Sequence, residues 1–136
     1  MTSDRLVKSY LEKAKIRIKA LHFMHQEGGY SDVVREAQEC VELLLKALLR
    51  NFGTEIPKVH DVSQTLVSNK DHFPVIIQKN LKEICDISRA MRKDRELAFY
   101  GTEDWIPTDQ YSAQDSLVCI DQTEKIFAWV NEGVLT

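Results

Sequence analysis

Along the first part of the chain, apolar residues recur at Val7, Leu11, Ala14, Ile18 and Leu21. Steps of four, three, four and three residues keep them on one stripe of a helix, here predicted from Asp4 to Glu27. The run Gly28-Gly29-Tyr30-Ser31 stops that pattern, with Ser31 or Asp32 placed to cap the next helix. A second stripe follows on Val34, Ala37, Val41, Leu44 and Leu48 and runs to about Phe52, where Gly53 ends it. Cys40, Leu43 and Ala47 widen this stripe to one side. Such a helix is either central and flanked by two neighbours or carries a self-association face, and the pattern favours the two equally.

"TEIPKVHDVSQTL" then reads as an extended, proline-containing link and a short helix that Asp61 can cap. The spacing of Ile76, Ile84, Ile87, Met91 and Ala98 predicts one long helix from about Phe73 to Tyr100, with Pro74 in its first turn. "GTEDWIPTDQY" is a predicted loop. Ser112 to Asp115, "SAQD", resembles a capping box that opens a last helix with Leu117, Ile120, Phe127 and Val130 on its buried side. Four substantial helices, short connections and no strand signal predict an all-α protein. The expected form is an antiparallel up-and-down four-helix bundle with an additional short helix, as a single domain over residues 1–136.

Composition agrees. The chain has 136 residues, 43% apolar and 29% charged, with only 5 Gly and 3 Pro. Its net charge of −3 supplies no general attraction for nucleic acid, so such binding needs a local basic patch. Cys40, Cys85 and Cys119 are odd in number and widely spaced. They read as reduced thiols of a cytoplasmic protein rather than as a disulfide frame or zinc site. The charged N-terminal stretch reads as neither signal peptide nor membrane anchor, so no membrane association is expected.

Candidate chemistry is sparse. His22 and His25 are too few ligands for a metal without a completing carboxylate, and no metal or other cofactor is expected. His60 is the one histidine on a connecting link, next to Asp61, where a backbone hydrogen bond is the simplest role and ligand contact the functional one. "RKDRELAFYG" is richer. Arg89 and Tyr100 lie nearly opposite the core, with Arg92 beside them, whereas Arg95 falls at the margin of the core face. A guanidinium there needs a carboxylate, carbonyl oxygens or a bound phosphate. Glu42 is the expected ion-pair partner; the functional alternative is an anion grip reinforced by Arg89 and Arg92. Trp105 is expected to fold back over the core, the alternative being to stack on a base.

Two longer stretches then resemble the HEPN domain family. One is "YSDVVREAQECVELLLKALLRNFGTEIPKVHDVSQTL", with Glu42-Leu-Leu-Leu-Lys46, Gly53 and Pro57-Lys-Val-His60-Asp61; the other is "RELAFYGTEDWIPTDQYSAQDS", with Tyr100-Gly101, Pro107 and Tyr111. The resemblance implies a helical bundle, usually a homodimer, that takes nucleotide or RNA. It also implies a minimal nucleotidyltransferase as partner, often as a toxin–antitoxin pair. Ribonuclease members carry an Arg followed, after four to six residues, by a His, and two such motifs meet across the dimer. Here Arg95 fits the arginine but Tyr100 stands where the histidine is expected, and no His follows His72. A phenol with a pKa near 10 is a poor general base at neutral pH. The expected function is therefore a nucleotide- or RNA-binding module using Arg95, Tyr100, Arg92, Arg89 and His60, with no catalytic residue assigned. A metal-independent ribonuclease built on Arg95 and Tyr100, and a substrate-recognition subunit of the transferase, are the alternatives.

Overall fold

The apolar periodicities become helices in the computed structural model, which describes residues 2–54 and 62–135. In chain order these are α1 (Thr2–Gln26), α2 (Tyr30–Asn51), α3 (Val62–Ser68), α4 (Val75–Gln78), α5 (Leu81–Phe99), α6 (Pro107–Gln110) and α7 (Ala113–Leu135), with a single 3₁₀ turn at Lys70–His72. The four long ones form the expected all-α bundle. Helix α1 runs antiparallel to α2, into which it turns through Gly28-Gly29, and to α7, since His25 at the end of α1 bonds Ser116 at the start of α7 over 2.9 Å; α2 and α7, which also pack together, therefore run parallel. No helix among the described residues is long and apolar enough to cross a membrane.

Helix α2 is the centre. It packs against α1, α5 and α7, and its buried set includes Val33, Val34, Ala37, Val41, Leu44, Leu45, Leu48 and Leu49. The widened stripe at Cys40 and Ala47 is fully covered within the chain, with Leu43 partly buried against the core. That side is thus the contact of a central helix, and the self-association alternative does not hold for Cys40 and Ala47.

The helix ends are set by local chemistry. Gly53 N–H donates to Arg50 O at 3.2 Å and Thr54 N–H to Leu49 O at 2.9 Å, the paired bonds that close a helix through a left-handed residue; Gly53 supplies it with φ +70. The start of α2 differs from expectation. Gly29, not Ser31 or Asp32, occupies the cap position, and Ser31 is buried inside the first turn. The predicted capping box is present at α7, where Ser112 N–H donates to Asp115 Oδ2 at 2.9 Å and Asp115 N–H to Ser112 Oγ at 3.1 Å.

The long helix predicted from Phe73 is broken at Lys79–Asn80. Asn80 Nδ2 donates to Ile76 O at 2.7 Å and Gln78 Nε2 to Phe73 O at 2.8 Å, so side-chain amides take carbonyls near the break. Helix α4 packs against α7 while α5 packs on α2. This leaves a shallow groove between α5 and α7, and Leu117 lies in it 47% exposed rather than in the core. Ile120 and Val130 are buried as expected and Phe127 is partly buried against the core, with Ser116, Thr123 and Ile126 completing that side.

After α5 the chain reverses at Gly101, φ +69. Thr102 and Trp105 exchange backbone bonds of 3.0 and 3.1 Å, and Pro107 starts the short α6 inside what reads in sequence as plain loop. A Cβ at Gly101 would stand 2.5 Å from both Pro107 Cδ and Trp105 O. Gly53 shares its backbone conformation but has open space around it. Gly53→Ala is expected to cost about 1 kcal/mol, the conformational penalty alone. Gly101→Ala is expected to cost clearly more, because the clash adds to it; urea unfolding of the two variants measures the difference.

Candidate functional site

The end of α5 lies over the first half of α2, and there the charged residues converge. Arg95 does not pair with Glu42. Its Nη2 lies 3.2 Å from Oε1 of Glu39, almost one turn earlier on α2. The same carboxylate receives Arg35 at 3.4 Å, four residues before it, and Arg17 of α1 at 3.8 Å. Arg17 also pairs with Glu36. Three guanidinium groups facing two carboxylates leave a local charge of +1, a basic patch on a chain whose net charge is −3.

Aromatic rings flank this cluster. The Arg35 guanidinium stands 4.2 Å above the Phe99 ring, and Phe99 meets Tyr100 edge-on at 4.5 Å. Tyr100 is 77% exposed and Phe99 46%, with the Arg95 side chain at 37%. A flat ring in water beside a partly exposed cation suits stacking on a base and contact with a phosphate.

Glu42 has its own partners. Gln38 Nε2 donates to it at 3.1 Å and Lys46 lies 3.3 Å away. Burial pushes its pKa up, but the Gln38 bond and the charges of Lys46 and Arg95 outweigh that and hold it below the usual carboxylate range. Beneath the cluster the Cys40 thiol donates to Ala14 O at 3.6 Å. Burial, reinforced by Glu36 and opposed by Arg17, pushes that thiol up to about 12.

A family model described as the HEPN domain matches residues 7–133. The chain belongs to the HEPN domain family. The crystal structure of an archaeal HEPN homologue has the same fold, with a TM-score of 0.65 at 21% identity, covering 94% of this chain and 97% of that one. No curated protein matches.

Within this HEPN domain the sequence candidates separate. Arg95 lies near the end of α5 and Tyr100 just beyond it, about 140° around the helix direction from one another. Arg92, half-buried, lies one turn before Arg95 and about 60° around the helix from it. Arg89 does not join them: it pairs with Asp86 at 3.2 Å and lies about 9 Å along the axis before Arg95. His60 and Asp61 lie outside the described residues. His22 and His25 turn to different partners, Glu124 at 3.3 Å and Ser116 at 2.9 Å. Trp105 is half-buried and packs edge-on against Tyr111 at 5.3 Å, bracing the turn after α5. Burial, then the charge of Asp94, pushes Tyr111 up to about 12.

Arg17, Arg35, Glu36, Glu39 and Phe99 escaped the sequence reading. Arg35 and Glu39 were detectable as an i, i+4 ion pair on α2, whereas Arg17 enters only through the packing of α1 on α2. A double-mutant cycle on Arg95→Gln and Glu39→Gln is expected to give a coupling of about 0.5–1 kcal/mol, modest because both side chains are partly in water. Repeating it in 1 M salt should shrink that coupling. Cys40 is expected to stay unreactive toward a disulfide reagent at pH 8, since a thiol titrating near 12 holds almost no thiolate there. Urea should release it.

Proposed function

We propose that this HEPN protein is a dimeric nucleotide- or RNA-binding module that acts with a minimal nucleotidyltransferase and performs no cleavage of its own. The observation that supports it best is the cluster in which Glu39 braces both Arg95 and Arg35, with Arg35 over the ring of Phe99 and the exposed Tyr100 ring against Phe99. A guanidinium fixed by a carboxylate keeps its remaining donors in a set direction, which suits a phosphate oxygen, and the neighbouring ring offers a stacking surface. Among the described residues no imidazole stands at this position, and in-line attack by a ribose hydroxyl needs a base that titrates near neutrality.

Dimerisation and the transferase partnership rest on family likeness. Exposed Leu97, Phe99 and Ile106 around the end of α5 support a contact surface there. The test runs in two stages. Purified protein, with Arg95→Ala and Tyr100→Phe beside it, is assayed on RNA under metal-free conditions, and no cleavage is expected from any of the three. Cleavage that disappears in Arg95→Ala would replace this reading with the ribonuclease one. RNA and nucleotide titrations follow. Tyr100→Phe should bind as the native chain does, whereas Tyr100→Ala should lose about 1–3 kcal/mol, the usual worth of one stacked base. Light scattering with and without the transferase then separates a homodimer from a mixed complex.

A further inference from the structure

A second cavity lies in the other half of the bundle. The first half of α1 and the ends of α2 and α7 line a half-open cavity of about 560 Å³, within the range of small-molecule sites. Asn51, on its wall, is twelve residues along α2 from Glu39, roughly 18 Å of helix axis, so the cavity is separate from the Arg95 cluster. Val7, Leu11, Phe127 and Val134 give it an apolar lining. Asn51 and Asn131 add two side-chain amides.

Its charge is what narrows the ligand. Lys8 and Lys15 border the cavity from α1, about 10 Å apart along the axis, and neither forms an ion pair among the described residues. Glu12 also lines the cavity, so two cations and one carboxylate leave a rim charge of +1. A cationic ligand meets two ammonium groups there, and a polyanion meets Glu12. A single negative charge on an apolar body matches both the rim and the walls.

We propose that this cavity binds an amphipathic monoanion, an alkyl chain ending in one carboxylate, with the chain against Leu11 and Phe127 and the head group among Lys8, Lys15 and the two asparagine amides. Lysine ammonium groups on flexible stems can follow the head group while their methylenes cover the chain. The assignment goes beyond the nucleotide reading and does not depend on it.

The experiment is calorimetric titration of the full chain with decanoate, below its micelle concentration, and with decyltrimethylammonium as the same chain carrying the opposite charge. One-to-one saturable binding of decanoate, at least fivefold tighter than the cation, is expected. The Lys8→Gln/Lys15→Gln double variant, altered only on the exposed side of α1, should lose that preference while keeping a native far-UV spectrum. Arg95→Ala should bind decanoate as the native chain does. Absence of saturable binding overturns the proposal, as does equal affinity for the two head groups. A dimer that Leu135→Arg splits, in a chain that takes up no decanoate, would assign the cavity to a second copy and also overturn it.

Discussion

Covering α2 on three sides is the constraint from which the rest of this molecule follows. A helix packed against α1, α5 and α7 can keep polar residues on only one narrow strip. In α2 that strip is Arg35, Glu39, Glu42 and Lys46, at intervals of four, three and four residues, all half-buried. Charged residues that reach α2 from a neighbour meet it there or at Glu36 beside it. The end of α5 delivers Arg95, and α1 delivers Arg17 from the other side. The site is therefore a by-product of core packing: the strip is where apolar coverage runs out.

Concentrating three guanidinium groups on that strip has an energetic logic. Each is partly withdrawn from water, which makes an unpaired charge expensive, while two carboxylates cannot neutralise three cations. The residual positive charge sits beside aromatic carbon on Phe99 and Tyr100, whose ring faces are themselves attractive to cations. An incoming anion finds the desolvation cost already met by the fold. An acidic chain can in this way hold a local anion-attracting surface.

How much of this was legible in the sequence depends on the range of each interaction. Helix periodicity, the Ser112–Asp115 box and the Gly53 terminus are local, and they read correctly. The strip on α2 was also local, which is why a glutamate on α2 was the right kind of partner for Arg95. Choosing Glu39 over Glu42 needed the register of α5 along α2, and that register depends on the break at Asn80, where amide side chains compete with the helix for carbonyls. Leu117 failed for a related reason: its stripe position is apolar, but α5 follows α2 and leaves that side of α7 open. Arg17 carried no signal at all, since nothing in α1 distinguishes it from the lysines around it.

The place of α7 has a consequence for how the chain assembles. It is the last helix in the chain, yet it packs between α1 and α2, the first two. During synthesis the α1–α2 hairpin leaves the ribosome with Leu44, Leu48 and their neighbours incompletely covered, and that cover is not complete until α7 (Ala113–Leu135) has emerged. Nascent protein of this kind carries a sticky apolar flank until α7 docks. Every residue of the charged cluster on α1, α2 and α5 is therefore made while that flank is still open.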